Sequence, residues 1–549
     1  MSRDHSPDLP RLQLPPAMSV CKTPPLAVLQ NLRERWRRLA TGVRRWLVED
    51  RGSRWLALIG ACAVVELGYV FIASAGRFTN WPTYESRIDQ QAEAFRAGQL
   101  HLLNEPSPAL VAAKNPYDPA NSGLWYWDAS FYKGHYYFYW GPVPALLLAA
   151  VKAALHIAEP LGDQYPTFAL ATLQLGAGAV LLERFARRLF QDVPTVLVVL
   201  AVVAFGFANP TPFMLARQCV YEAAIIGGHA FLLAGVALAF EAVHFAGVPR
   251  RSFAFAAGAG VAWALALGCR ITLSLAIACL VVVTALGMAW RAPLRWKRLL
   301  ESLVAIGTPL ALGAGALLAY NKARFEHWFE FGQRFQLTWI DFQMSKSFVA
   351  ANAYSYAFRP PDLSCKFPFV TSALGASPDH AFPRWFEPPK DYSVYEQVAG
   401  VFVTTPWAWF AAPALVVLGH YAWRAGRTRF RNHAISLPLL WVLFALPVAA
   451  LLVFVVPLVV SGATMRYLGD AVPAFVLFAS LGAFATYRTA RRVAPSWLAI
   501  VLFASASLAS AAVGLALGIQ GYYGHFKQHN PALLEKLEKR YSVCGASKP

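Results

Sequence analysis

The stretch RWLALIGACAVVELGYVFIASA, residues 54–75, decides the class of fold. It is apolar over a length that crosses about 30 Å of hydrocarbon as a helix, and similar runs recur along the 549 residues. The chain is 57% hydrophobic and only 14% charged. These features predict an all-α polytopic membrane protein and exclude a soluble enzyme held by a single anchor.

The apolar runs predict about eleven transmembrane helices, joined by two long external loops at 76–165 and 321–398. The second loop is rich in aromatic residues and proline and is predicted to form a small folded cap. The run at 141–158 is short, opens with two prolines and carries Lys152, so we expect it to lie in or dip into the outer interface. The predicted spans are 54–75, 166–183, 194–213, 223–243, 253–268, 271–290, 299–320, 399–421, 434–460, 467–487 and 497–519.

The formal net charge of +19 comes from short basic clusters between the apolar runs. Loops kept in the cytoplasm carry such an excess of Lys and Arg, whereas a nucleic-acid face would collect it on one soluble domain. The clusters therefore predict no nucleic-acid partner. They predict a cytoplasmic basic segment over 1–53, a membrane domain over 54–520 and an external C-terminal tail over 521–549, with a short amphipathic helix in the tail.

The seven cysteines include no CxxC pair, which argues against a zinc or redox site. Cys365 and Cys544 both fall in segments predicted to be external. Because nothing in their spacing indicates a pair, we expect two separate thiols.

Ionisable residues cluster where the predicted helices reach the external side. The segment NWPTYESRIDQQAEAF, residues 80–95, supplies several of them directly after the first helix. Carboxylates next to guanidinium groups at a bilayer surface suit a phosphate-bearing lipid and an acid–base step. Ordinary interfacial anchors and ion pairs are the alternative for each residue taken alone. The cluster comprises Glu85, Arg87, Asp89, Asp128, Lys133, Arg217, Glu222, Arg270, Arg466 and Asp470.

Several motifs resemble those of a known enzyme superfamily. YESRIDQQAEAFRAGQL (84–100) resembles the first-loop motif of the GT-C superfamily of polyprenyl-phosphate-dependent glycosyltransferases, which includes aminoarabinose transferases and protein O-mannosyltransferases. WDASFYKGHYYFYWGPVPALLL (127–148) and YNKARFEHWFEFGQRFQLT (320–338) are similar to a bacterial branch of uncharacterised members. RYLGDAVPAF (466–475) also follows the superfamily pattern. The similarity covers most of residues 54–490.

The resemblance implies a GT-C-like fold and the transfer of a sugar, with inversion, from a polyprenyl-phosphate donor at the outer face of a bacterial inner membrane. The acceptor would be an envelope glycan, a lipid or a protein. The sequence has no GxGxxG or GxxxxGK loop in a strand–turn–helix setting, so we expect no organic cofactor and assign no metal ligands, although a divalent cation could take part.

The resemblance also assigns roles to residues. It places the general base at Glu85, with Asp89 one helical turn further on the same face. The family's usual Asp is Tyr84 here, so an inactive or altered relative is an alternative, as is a Glu85 that merely caps a helix or pairs with Arg87. The implied substrate- and phosphate-binding residues are Arg87, Arg217, Glu222, Arg270, Arg466 and Tyr467.

A transporter or flippase of a lipid-linked substrate is the competing function. Transporters place ionisable residues near the membrane midplane, and only Glu66 lies deep in a predicted span here. A ligase- or polymerase-like protein of a different fold is a third possibility.

Overall fold

A computed structural model describes residues 51–290, 292–340, 343–372, 382–392, 396–427 and 436–544, without the side chains of 51–53, 421, 422 and 424–427. Contacts divide the chain into residues 1–54 and a second unit, Trp55–Pro549. The second unit holds the helix bundle and its loops. The predicted basic segment over 1–53 lies almost entirely outside the described residues.

The described residues are mostly helical, which confirms the predicted fold class, and their strands form two short antiparallel hairpins. The hairpins are β1 (Ser130–Tyr132) with β2 (His135–Tyr137), and β3 (Asp362–Leu363) with β4 (Val370–Thr371). The helices are α1 (Arg51–Ala73), α2 (Arg87–Arg96), α3 (Pro108–Ala112), α4 (Val143–Ala154), α5 (Gln164–Arg188), α6 (Thr195–Phe207), α7 (Thr211–Met214), α8 (Val220–His244), α9 (Pro249–Cys269), α10 (Ser274–Ala289), α11 (Arg295–Phe325), α12 (Val349–Ala357), α13 (Val401–Thr404), α14 (Ala411–Arg427), α15 (Leu437–Leu451), α16 (Val455–Val459), α17 (Val472–Ala490), α18 (Ser496–Gln520), α19 (His525–His529) and α20 (Pro531–Tyr541).

Ten segments among the described residues are long and apolar enough to cross a membrane. They correspond to ten of the predicted spans. The remaining one, 399–421, is divided into α13, a 3-10 turn at Pro406–Phe410 and α14, because Pro406 cannot continue a hydrogen-bonded helix. The 12-residue α4 is too short to span, as expected for 141–158.

Helix α8 lies at the centre of the bundle and packs against α5, α9, α10 and α15. Close approaches between neighbouring helices depend on glycine. A Cβ atom at Gly260 would overlap the carbonyl oxygen of Ile306, and one at Gly482 would overlap that of Phe410. Small residues of this kind allow helix backbones to approach closely inside a membrane.

The bundle has two chemically different ends. Helices α5 and α8 both start near the first loop, because the amide N–H of Asp163 donates to the carbonyl oxygen of Glu85 and the Tyr221 hydroxyl donates to Asp128. Both run about 37 Å, from 25 residues at 1.5 Å each. At the opposite end, Arg188 of α5 pairs with Glu241 of α8 at 2.8 Å. We call these the first-loop end and the opposite end.

Part of the loop over 321–398 forms a small second core at the first-loop end. Phe348, Ala351, Phe382 and Tyr392 are buried against one another. Asn352 joins this core to the bundle, since its side-chain amide donates to the carbonyl oxygens of Leu458 and Val460 at 3.0 and 2.7 Å. This core corresponds to the predicted cap.

Cys365 and Cys544 form a disulfide, with Cα atoms 5.3 Å apart, so the prediction of two separate thiols is wrong. Their segments run side by side, because the amide of Val543 donates to the carbonyl oxygen of Cys365 at 2.9 Å. The two cysteines are 179 residues apart in sequence, and only the folded chain brings them together.

Candidate active site

A cavity of about 530 Å³ opens at the first-loop end, among the helix ends and the loops that join them. Its walls carry five arginines and three carboxylates, together with aromatic and aliphatic side chains. Six of the residues predicted for the site line this cavity: Glu85, Arg87, Arg217, Arg270, Arg466 and Tyr467.

The cavity edge that carries Glu85 and Arg87 is positioned by Asp163. Helix α2 starts at Arg87, and Ser86 makes no side-chain capping bond. The carboxylate of Asp163 replaces that cap, accepting the amide N–H groups of Arg87 and Ile88 at 3.2 and 3.0 Å. Such bonds satisfy amides that the first turn of a helix leaves free. Burial of Asp163 raises its pKa to about 8, against the two amide bonds that favour the charged form.

Arg87 is fixed by two carboxylates and one carbonyl group. Its Nε atom lies 3.4 Å from Oε2 of Glu85, and its Nη1 atom lies 3.7 Å from Oδ2 of Asp128. Its Nη2 atom donates to the carbonyl oxygen of Trp127 at 3.1 Å. The guanidinium group therefore orients the two carboxylates, and much of its charge is already compensated.

Asp128 is surrounded by donors. It accepts hydrogen bonds from the hydroxyls of Tyr139 (3.3 Å) and Tyr221 and from the side-chain amide of Gln336. Burial raises its pKa, while the Gln336 bond and Arg87 oppose the shift. Its φ of 68° is unusual for a residue other than glycine, so the surrounding bonds hold a strained backbone. Asp128 has little capacity left to accept a proton from a substrate.

Glu85 differs from Asp128 because its carboxylate accepts no hydrogen bond from the described residues. Its side chain is 22% exposed and lines the cavity. Its Oε2 atom is buried without a hydrogen-bond donor, and Nε of Arg87 lies beside it at an ion-pair distance of 3.4 Å. Of the two first-loop carboxylates in the cavity, Glu85 is the one that no hydrogen-bond donor of the described residues occupies.

Two of the cavity arginines are neutralised by partners. Arg270 binds Asp470 at 2.6 Å, and Arg466 binds Glu396 at 3.0 Å. The ring of Tyr467 lies between them, with its centroid 5.8 Å from the guanidinium carbon of Arg270 and 5.7 Å from that of Arg466. These pairs hold the loops around the cavity together and leave little net charge for a ligand.

Two other cavity arginines keep their charge. Among the residues that the structure describes, neither Arg217 nor Arg324 has a carboxylate within ion-pair distance. Arg217 lies over the ring of Tyr522 at 5.1 Å. Arg324 donates to the carbonyl oxygen of Phe138 at 2.6 Å and to Oδ1 of Asn321 at 2.9 Å. Both line the cavity and favour an anionic ligand.

The structure does not bring Asp89 or Glu222 to the cavity surface. Asp89 is buried and binds Lys152 at 2.6 Å, and Lys152 also binds Glu93 at 2.6 Å. Glu222 is fully buried in the first turn of α8, and neither of its oxygens has a hydrogen-bond partner in the described residues. Arg217 and Arg466 are its nearest charged neighbours.

Tyr84 has a structural contact of its own. Its hydroxyl lies 2.7 Å from Nδ1 of His525, whose Nε2 lies 2.8 Å from the carbonyl oxygen of Ile72. A carbonyl can only accept, so Nε2 carries the proton and Nδ1 accepts from Tyr84. Burial lowers the pKa of His525 to about 4, which keeps this arrangement neutral. Tyr84 thus anchors the segment that follows α18.

Sequence reasoning missed several residues of the site. Asp163, Tyr221, Gln336 and Glu396 act through partners distant in sequence, which no local pattern indicates. Arg324 had a signal, because a basic residue at the external end of a predicted span departs from the positive-inside trend. The described residues contain no group of three or more His, Cys, Asp and Glu side chains arranged to hold a metal ion, and binding of a divalent cation stays a prediction.

The sequence matches no protein-family model and no curated protein. The structure is similar to solved structures of an oligosaccharyltransferase from Archaeoglobus fulgidus. The apo form has a TM-score of 0.44 at 12% identity, covering 90% of this chain and 61% of that chain. A complex of the archaeal enzyme AglB with an inhibitory peptide and a dolichol-phosphate has a TM-score of 0.42 at 12% identity, with the same coverage. The chain thus spans about three fifths of the solved chains, and its activity has to be inferred from its own residues.

Proposed function

We propose that the chain is a membrane glycosyltransferase that moves a sugar from a polyprenyl-phosphate donor to an acceptor hydroxyl. The observation that carries this proposal is one cavity that holds Glu85, whose carboxylate accepts no hydrogen bond from the described residues, and two arginines without a carboxylate partner in the described residues, Arg217 and Arg324. Such a cavity offers a base for the acceptor and positive charge for a phosphate.

The cavity also has a surface suited to the lipid part of the donor. Leu317, Ile271, Val456 and Val460 line it beside the arginines, and Ile271 and Val456 are more than a third exposed. A polyprenyl chain would lie against these aliphatic side chains while its phosphate meets Arg217 and Arg324. A water-soluble nucleotide sugar would have no use for such a surface.

The chemical step follows from this placement. The acceptor oxygen bonds to C1 of the sugar as its proton passes to the carboxylate of Glu85. The bond between C1 and the phosphate oxygen breaks, and its electron pair stays on the polyprenyl phosphate, where the arginines offset the added charge. A single displacement of this kind inverts the anomeric centre. Arg87 orients the Glu85 carboxylate.

The first-loop end is proposed to face the outside of a bacterial inner membrane, with the C-terminus on that side. Two features support this orientation. The disulfide between Cys365 and Cys544 lies in segments of this end, and disulfides persist in oxidising compartments. Basic residues such as Arg187, Arg188 and Arg491 lie at the opposite end, as expected for a cytoplasmic side.

The test is transfer of labelled sugar from a polyprenyl-phosphate donor pool in membranes that contain matched amounts of each protein. We expect Glu85→Gln to lower transfer by about 10²- to 10⁴-fold. Arg217→Ala should raise the apparent KM for the donor with a smaller effect on kcat. Glu535→Gln and Arg540→Ala on α20 are controls, because they make the same substitutions away from the cavity. Both variants should transfer sugar as fast as wild type.

Wild-type membranes that transfer nothing above empty membranes would refute the proposal. The same membranes would then be assayed for movement of the labelled donor across the bilayer, the activity of the competing transporter hypothesis. Equal transfer by wild type and Glu85→Gln would remove Glu85 as the base.

A further inference from the structure

Three tryptophans form a continuous aromatic surface at the border of the cavity. The ring centroids of Trp127 and Trp339 are 4.0 Å apart. Trp125 stacks at 6.2 Å from Trp127 and at 6.4 Å from Trp339. We call these residues the tryptophan platform. The side chain of Trp339 is 63% exposed, so one face of the platform is open.

Backbone pairing builds the platform from two distant segments. The amide of Leu337 donates to the carbonyl oxygen of Ala129 at 2.9 Å, and the amide of Asp128 donates to that of Leu337 at 3.0 Å. Ser130 and Gln336 form an antiparallel bridge in the same ladder. Because Leu337 bonds to both Asp128 and Ala129, the strand has a bulge at Asp128, whose φ is 68°. The bulge lies between the bridge at Ser130 and the contact of Trp127 with Trp339.

The platform is fixed to the proposed catalytic edge. The indole N–H of Trp125 donates to the carbonyl oxygen of Pro116 at 2.8 Å. The carbonyl oxygen of Trp127 accepts from Arg87, which pairs with Glu85. A ligand bound on the platform would therefore have a defined distance to the Glu85 carboxylate, because the guanidinium group of Arg87 contacts both Trp127 and Glu85.

Residues beside the platform line the cavity, and two of them are polar. Trp127 lines the cavity, as do Thr338 and Ile340 on either side of Trp339. Gln333 lies on the same wall with an exposed side chain. An open aromatic face beside hydroxyl and amide groups suits a ligand with one C–H face and a rim of hydroxyl groups.

We propose that the tryptophan platform binds a pyranose or furanose ring of the acceptor, so that the acceptor of this enzyme is a glycan. This inference rests on the proposed transferase function and narrows its acceptor class. The C–H groups on one face of a sugar carry partial positive charge and lie flat on the negative face of an aromatic ring. Thr338 and Gln333 would take up hydroxyl groups at the ring edge.

A peptide or lipid acceptor is less well matched to this surface. An extended peptide would seek unpaired strand edges, whereas the ladder of residues 128–130 is already paired with 336–337. A lipid chain would favour the aliphatic wall of Leu317 and Val456 rather than stacked indoles with polar neighbours.

The test measures glycan binding by the purified full chain, without requiring turnover. Detergent-solubilised protein is applied to immobilised short oligosaccharides of hexose, pentose and N-acetylhexosamine units, and to peptides of similar length. We compare wild type with Trp339→Ala and Trp339→Phe, and with Trp385→Ala as the control. Trp385 is 80% exposed and, like Trp339, has an aromatic neighbour, but that neighbour is Phe386 and not a residue of the platform.

Wild type should be retained by oligosaccharides and not by peptides. Trp339→Ala should weaken retention about tenfold, or about 1.4 kcal/mol, whereas Trp339→Phe and Trp385→Ala should stay within about threefold of wild type. Retention by no oligosaccharide would overturn the proposal, as would equal retention of wild type and Trp339→Ala. A loss of vesicle association alone in Trp339→Ala would also overturn it, by making the platform a membrane anchor.

Two outcomes separate this inference from the proposed function. If oligosaccharide binding depends on Trp339 but the protein transfers no sugar, the proposed transferase function is contradicted and glycan binding on the tryptophan platform is supported. Sugar transfer to a lipid or protein acceptor that is unaffected by Trp339→Ala would contradict the platform and keep the transferase.

Discussion

Removal of the buried lysine of α4 should separate the structural carboxylate of α2 from the proposed catalytic one. Lys152 is fully buried and binds Asp89 and Glu93, both at 2.6 Å. The side chain of Asp89 is 5% exposed, while that of Glu93 is 32% exposed and keeps Arg96 at 2.7 Å. In Lys152→Met, Asp89 alone is left as a buried charge without a cation.

The burial of each partner sets the expected magnitude. Breaking a buried pair by removing one member costs about 3–5 kcal/mol, and the half-exposed Glu93 adds little because solvent screens it. Asp89→Asn should cost less, about 1.5–3 kcal/mol, since Lys152 keeps Glu93. The double variant Lys152→Met/Asp89→Leu removes both charges and should return to within about 1 kcal/mol of wild type.

The assay is thermal unfolding of the purified protein in detergent, followed by intrinsic fluorescence. With about 2 °C or less of Tm change per kcal/mol for a chain of this size, Lys152→Met should lower the apparent Tm by up to about 6–10 °C. Transfer per folded molecule should change little in Asp89→Asn, because Asp89 does not line the cavity. Glu535→Gln, on the exposed face of α20, controls for loss of a carboxylate.

Two results would refute this reasoning. One is a Lys152→Met protein as stable as wild type, since the buried triad would then contribute nothing. The other is an Asp89→Asn protein with wild-type stability and no transfer, because Asp89 would then act in the chemistry, the second role that the sequence allowed for it.

Three further predictions concern Asp163, the disulfide and Tyr84. The unfolded chain releases the proton of the Asp163 carboxyl group near pH 4 and the folded chain releases it near pH 8, so the free energy of unfolding should fall as pH rises through this window. A plot of Tm against pH should be flatter for Asp163→Asn than for wild type. Equal slopes in the two proteins would contradict the raised pKa of Asp163. The double variant Cys365→Ser/Cys544→Ser should lower the free energy of unfolding by about 2–4 kcal/mol and speed proteolysis of the C-terminal segment, with Cys279→Ser as the control. If the double variant resists protease as well as wild type does, the disulfide does not hold the C-terminal segment in place. Tyr84→Phe loses one hydrogen bond to His525 and should lower the free energy of unfolding by about 1 kcal/mol. Tyr84→Asp should transfer no more sugar than wild type. Higher transfer by Tyr84→Asp would show that the wild-type site lacks a carboxylate at position 84.

The membrane helices could be predicted because each is recorded locally in the sequence. The length of an apolar run indicates whether it can span the membrane, and the basic clusters indicate which helix ends lie on the same side. The predicted ends of the helices were less accurate, because a helix end depends on hydrogen-bond partners from other parts of the chain. Helix α11 continues to Phe325, past the predicted end at 320, where Arg324 finds acceptors on Phe138 and Asn321.

The site could be predicted as a set of charges but not as a set of pairs. Arg466 was the preferred phosphate-binding residue because a planar guanidinium beside Tyr467 suits phosphate oxygens. Its partner Glu396 lies in a loop 70 positions earlier, and no local spacing indicates that the two meet. Asp89 and Glu85 are separated by one helical turn in sequence, yet α2 starts only at Arg87, so the two side chains do not share a helical face.

The departure at Tyr84 therefore has a different meaning in the folded chain than in the sequence alone. Read as a missing carboxylate, it suggested an inactive relative. In the structure Tyr84 holds His525 and so ties the C-terminal segment to the first loop, and Tyr523 of that segment lines the cavity. The cavity carboxylate that accepts no hydrogen bond from the described residues belongs to the next residue, Glu85. Because an aspartate at position 84 would leave Nδ1 of His525 without its donor, the tyrosine and the shift of the proposed base to Glu85 belong to the same arrangement.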